Sequence, residues 1–244
     1  MTAAVDFFRF VSILATSGLL VITAEADAQD AATQTGKPRD IRFQRLPNGD
    51  VKLGQIHLHR KSRTLSFPAT INLDSGALEV LIATPEGRLH ESLLSSAASP
   101  FRLQTMLFLL GVENGPRRPD EKGNQGDLVD IDLEWTKKDG TTVREPVETW
   151  VLNSKTNEPM KRRGWVFVGS RISDGMFVAE TEGNLVVTYS IGETILDIPS
   201  TEGEDDTVFV VNQGKTEPAV DSPVRVILTP RPSTLEEEER NERP

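Results

Sequence analysis

SPFRLQTMLFLLG, residues 99–111, is the stretch on which the reading of the fold turns. Ser99 is placed to cap a helix. Pro100 suits the first turn, where its missing N–H costs nothing, and Gly111 suits a left-handed stop. Phe101, Leu103, Met106, Leu107, Leu109 and Leu110 cover most of the circumference. A helix that is apolar nearly all round has no face to offer water, so the pattern predicts a buried helix at the centre of the core.

Outward from this helix the sequence reads as strand. Ile41–Leu46 runs into Pro47-Asn48-Gly49-Asp50, and Asn-Gly is the strongest short hairpin signal. Val51–Arg60 reads as one strand, with Ile56 and Leu58 on one face and His57 and His59 on the other. Thr64–Leu73 follows. Pro68 within it has no N–H for a ladder, which predicts an edge strand or a bulge. Ala77–Ala83 and Arg88–Ser95 flank a turn at Pro85-Glu86-Gly87. Beyond the helix, Leu128–Trp135 alternates: Val129, Ile131, Leu133 and Trp135 to the core, Asp130, Asp132 and Glu134 to water. Further strands are expected at 165–170, 176–180, 184–189, 207–212 and 224–229. The fold class expected is α+β: a β-rich domain of mostly antiparallel sheet or sheets with one central buried helix at about 99–111.

The chain of 244 residues is long enough for one such domain, expected over 41–230. Phe10–Thr23 is an apolar run behind Arg9, followed by the small-x-small options Ala24-Glu25-Ala26 and Ala26-Asp27-Ala28. This is the layout of a signal peptide over 1–28, and it predicts export to the periplasm or beyond. The run is short for a membrane span, so no integral span is expected after cleavage, although Asp6 in the leading region leaves an uncleaved anchor as the alternative. Residues 29–40 read as a flexible linker and 231–244 as an acidic disordered tail. The formal net charge of -10 argues against a nucleic-acid partner, which would select for a basic face. There is no cysteine, so the domain forms no disulfide and holds no iron–sulfur cluster.

Three histidines limit the chemistry to few arrangements. His57 and His59 share a strand face, and with His90 they would make a three-histidine metal site with an open position. His90 and Ser92, two apart on an expected strand, would point the same way, as a base and a nucleophile would, with Glu91 between them. No G-x-S-x-G elbow accompanies them. His90, Glu91 and Ser92 are therefore candidate ligand-binding residues rather than a catalytic set. The acids Asp130, Asp132 and Glu134 and the run Glu204-Asp205-Asp206 lack the spacing of a calcium loop. No nucleotide-binding glycine motif occurs, and no cofactor is expected.

Several stretches recur together in order: FPATIN (67–72), GALE (76–79), HESLL (90–94), the leucine-rich helix ending in Gly111, WVFVGS (165–170), DGMFVA (174–179) and Asp205-Asp206. In this the chain resembles the YdjY-domain family of exported bacterial proteins, over most of residues 51–230. The resemblance implies a shared fold and no established activity. The family's pattern also places a histidine early in the leucine-rich helix, where this chain has Gln104 in the neighbourhood. If a histidine pair does the family's chemistry, half of it is absent. The expected function is an exported, envelope-associated accessory or binding protein without catalysis, whose partner is an unknown envelope protein or small ligand. The rival is an extracytoplasmic metal-dependent hydrolase using His57, His59 and His90 with Glu91.

Overall fold

The computed structural model describes residues 42–232. The segments expected as signal peptide and linker, and the tail beyond 232, lie outside the described residues. Eight strands, numbered in chain order, dominate: β1 (Thr64–Ile71), β2 (Val80–Ala83), β3 (Ser92–Ser95), β4 (Leu128–Thr136), β5 (Trp165–Phe167), β6 (Asn184–Val187), β7 (Leu196–Asp197) and β8 (Pro223–Pro230). They pair in the order β1-β8-β4-β5-β7-β6-β2-β3, and β3 returns to β1. The result is a closed, mixed, eight-stranded barrel, which corrects the expected α+β arrangement of sheets around a central helix; the β-rich character remains.

Closure follows from alternation. Directly opposed residues share a face of a sheet. On β1, β8 and β4, Leu65 lies opposite Leu228 and Leu228 opposite Ile131, while Phe67, Val226 and Leu133 repeat the pattern one step along. Trp165 of β5 opposes Val129. From Phe167 the line runs through Leu196, Val186, Ile82 and Leu94 to Ile71, back on β1. All of these residues are buried in one core. A ring of apolar side chains thus fills the barrel, and the edges that an open sheet would expose are paired away.

Two of the eight pairings are parallel, β2 with β3 and β6 with β7. The Pro85-Glu86-Gly87 turn is therefore not a hairpin. Residues 84–91 carry the chain back to start β3 alongside β2, through a 3-10 turn at Leu89–Glu91. Asn72 pins that turn, its side-chain amide donating to the carbonyls of Leu89 at 2.6 Å and Ser92 at 2.7 Å.

Helix α1 (Pro100–Leu110) has the expected caps. Ser99 Oγ accepts from the Arg102 N–H at 3.3 Å, and Gly111 sits at φ +86°. Glu180, on the short helix α2 (Val178–Glu182), reinforces the start by accepting from Phe101 N–H at 3.0 Å and from the Ser99 hydroxyl at 2.8 Å. The helix is not central, however. Leu103, Met106 and Leu107 are buried against β1, β6 and the strand Ile56–His59, while Phe108 and Leu109 are 47% and 52% exposed. The segment 176–180 is likewise not a strand throughout, since α2 begins at Val178.

Pro68 has an outcome that neither expectation covered. One side of β1 is shared between Ile56–His59, which pairs with residues 64–66, and β3, which pairs with 70 and 71. Pro68 falls in the gap between them. Its carbonyl accepts the Ser96 hydroxyl on that side at 2.7 Å, so the missing N–H also faces a place where no ladder bond is needed.

The outward acids of β4 are not simply solvated. Asp132 receives Arg144 at 2.6 Å and Arg162 at 2.8 Å, Asp130 receives Arg231 at 2.8 Å, and Glu134 pairs with Arg225. The arginines come from the neighbouring strand, from β8 and from the segments flanking β5 and β8, so these pairs lace the outside of the barrel. Among the described residues no helix is long and apolar enough to cross a membrane.

Candidate metal centre

The site is built by one hairpin. The Asn48-Gly49 turn closes as expected, with Leu46 N–H donating to Asp50 O at 2.8 Å. Val51–Arg60 is not one strand: Val51–Leu53 and Ile56–His59 are antiparallel partners, with Val51 opposite Leu58 and Leu53 opposite Ile56. The two residues between them, Gly54 and Gln55, make the turn. Gly54 takes φ +60°, a conformation that tight hairpins require and side-chain-bearing residues resist. The register brings Asp50 beside the histidines. Ile56 and Leu58 point into the core, which forces His57 and His59 onto the outer face.

The donor atoms converge. Asp50 Oδ2 lies 3.2 Å from His57 Nε2 and 3.4 Å from His59 Nδ1. All three atoms are within 4.8 Å of one another. Metal–ligand bonds of about 2.0–2.1 Å in a tetrahedron put ligands about 3.3 Å apart, which both carboxylate–imidazole distances match. The imidazole centroids are 3.9 Å apart and the rings tilted by 41°.

The surroundings hold these atoms in place. Asp50 Oδ1 accepts Arg60 N–H at 3.0 Å, and Asn48 donates to Oδ2 at 2.9 Å. His59 Nε2 is 2.8 Å from Ser66 Oγ. That bond places a partner on the ring nitrogen opposite the one facing Asp50, the usual outer-shell support of a metal-bound histidine. His57 Nε2 differs. It is shielded from solvent, and the Asp50 carboxylate oxygen 3.2 Å away meets it in a geometry short of a well-formed hydrogen bond. A shielded ring nitrogen that faces a carboxylate oxygen without a well-formed hydrogen bond is satisfied by a cation between the two.

The electrostatics favour the ligating protonation states. Burial, then the neighbouring His59 and Lys52, hold His57 below the ordinary histidine range against the pull of Asp50. The ring is accordingly neutral at pH 7, as a ligand must be. For Asp50 burial works upward, but the Arg60 amide, Asn48 and the two imidazoles outweigh it and keep the carboxyl below its usual value.

His90 does not join this group. His57 lies opposite Ser66 on β1, whereas the turn bearing His90 is tied to Asn72. Six strand residues separate those positions, about 20 Å. His90 is 75% exposed, with Glu91 beside it at 3.6 Å. The three-histidine site is thus replaced by Asp50, His57 and His59. His90 and Ser92 do not face each other either, since the 3-10 turn breaks the alternation. Ser92 is fully buried and its hydroxyl donates to Leu94 O at 2.8 Å. The Glu91 carboxylate lies near Glu79, whose own carboxyl is raised by burial and then by Glu91, and which Arg88 pairs.

Gln104 has a structural job. Its amide donates to Ser170 O at 3.1 Å and accepts Ser170 N–H at 2.7 Å, clamping α1 to the Gly169-Ser170 end of WVFVGS. Elsewhere two open clefts, of about 460 and 540 Å³, flank the segment 213–223 against Trp150 and Trp135; none of His57, His59, His90, Glu91 and Ser92 lines them. No family model, no curated protein and no solved structure matches the chain.

Proposed function

We propose that this chain is an exported, envelope-associated binding domain whose ligand is a divalent transition-metal ion held by Asp50, His57 and His59. The observation that carries the reading is the convergence of three ligating atoms within 4.8 Å on one hairpin, one of them a solvent-shielded nitrogen facing the carboxylate without a well-formed hydrogen bond. Two imidazoles with one carboxylate favour ions of the zinc, cobalt, nickel and copper group over magnesium and calcium, which prefer oxygen. Binding rather than turnover is supported by the burial of Ser92 and by the distance of His90 from the other histidines. Export rests on the apolar segment 10–23 and the small-x-small sites after it, and kinship with the YdjY-domain family rests on the shared motifs.

Thermal denaturation tests the metal reading. An ion at 100 times its Kd stabilises by about 2.7 kcal/mol, which raises the melting temperature of a domain this size by roughly 5–10 °C. Zinc should give that rise, a chelator should reverse it, and His59→Ala should abolish it. A melting temperature indifferent to zinc and chelator overturns the reading. Mass spectrometry of the native N-terminus tests export: a start after Ala26 or Ala28 supports it and an intact Met1 opposes it.

A further inference from the structure

We propose that the ion at Asp50, His57 and His59 carries a small oxyanion, a phosphate or carboxylate group, in its open coordination positions, with Lys52 as the countercharge; this rests on the metal-binding reading above. Three protein donors leave at least one position of a tetrahedral ion unfilled. The side chains of His57 and His59 are 23% and 30% exposed, so that position is within reach of solvent.

Lys52 gives the open position its chemistry. It lies directly opposite His57 in the hairpin register, on the same outer face, with the two side chains rooted about 5 Å apart. The Lys52 side chain is exposed and makes no ion pair or hydrogen bond among the described residues.

A lysine in that place opposes a dication. With two neutral imidazoles and one carboxylate, a divalent ion keeps a net charge of about +1, and Lys52 brings the local total to about +2. That excess is relieved by an anion that touches the metal with one oxygen and the ammonium with another. Lysine is suited to this as a point charge on a flexible stem, able to donate to an oxyanion of either shape. The hairpin thus provides two attachments for one ligand: the metal, and a cation whose side chain has no other partner among the described residues.

Cobalt(II) is the probe, because its visible absorption reports a change of ligand. The full chain is loaded with cobalt(II) and titrated with inorganic phosphate and, separately, with acetate. The expected result is a saturable spectral change with at least one of them; phosphate alone assigns a phosphate group and acetate alone a carboxylate. Lys52→Met should weaken the anion about tenfold, the scale of a lost charge-assisted hydrogen bond, and should leave cobalt affinity equal or tighter. Lys52→Arg should restore the anion. A merely structural role for Lys52 would not weaken the anion while sparing cobalt. If cobalt binds but neither anion changes the spectrum, or if Lys52→Met takes up anion as well as the wild type, the oxyanion proposal is overturned and metal binding stands. If cobalt does not bind, both fall.

Discussion

Asp197 offers the sharpest test of the electrostatics. It lies on β7, nearly buried, with Oδ1 accepting the Ser190 hydroxyl at 2.8 Å and the Ile198 N–H at 2.7 Å, and with Arg117 4.0 Å away. Burial outweighs these partners and raises its carboxyl from 3.8 to about 6. Because the folded value lies above the unfolded one, the folded state binds the proton more tightly. The favourable contribution is full below pH 3.8 and is lost as pH rises through 6. Roughly two units at 1.36 kcal/mol each make this about 3 kcal/mol between pH 4 and pH 7. Asp197→Asn keeps an oxygen for both hydrogen bonds and removes the charge. Its melting temperature should match the wild type near pH 3.5 and exceed it above pH 6.5 by roughly 6–12 °C. The assay is thermal denaturation of both proteins across that range, read as their difference so that other titrating groups cancel. A difference that does not vary with pH, or that grows toward acid, would refute the reasoning.

Other perturbations probe the packing. Gly183 at φ +74° passes so close to the 84–87 segment that an added Cβ would stand 2.6 Å from Gly87 Cα and from Thr84 Oγ1; Gly183→Ala should cost about 3 kcal/mol or more in urea denaturation, since backbone cannot step aside. Ser99→Ala should cost about 1 kcal/mol by the same assay, a modest loss because Glu180 still receives the Phe101 N–H. Phe67→Ala, inside the closed ring, should cost about 3–5 kcal/mol, whereas an open-sheet edge position would lose far less.

The local features of the fold were legible because they obey short-range rules. Ser99, Pro100 and Gly111 bound a helix wherever it sits, and the alternation of residues 128–135 survives in β4. What alternation cannot reveal is which strand closes on which. The return of β3 to β1 spans more than twenty residues, and the parallel β2–β3 pairing is reached through a connection that resembles a hairpin turn. The apolar circumference of α1 misled for a related reason: Phe108 and Leu109 are exposed, and the barrel interior is filled by its own strands, leaving no room for a central helix.

The metal site was half legible. H-x-H on one strand face gave His57 and His59, but Asp50 was hidden by reading Val51–Arg60 as continuous strand, which would set it some 23 Å from His57. The signal was Gly54: a two-residue turn there folds Asp50 back beside His59. His90 was drawn in by adjacency to Glu91 and Ser92. The Asn72 amide, distant in sequence, fixes the turn that separates them.

The central claim is that Asp50, His57 and His59 hold one metal ion, and equilibrium dialysis against zinc with elemental analysis measures it most directly. One equivalent is expected for the wild type and for His90→Ala, and well under one for Asp50→Ala, His57→Ala and His59→Ala, with each variant checked for folding by circular dichroism. Less than stoichiometric zinc on the folded wild type, or retention of a full equivalent by the folded Asp50, His57 and His59 variants, would contradict it.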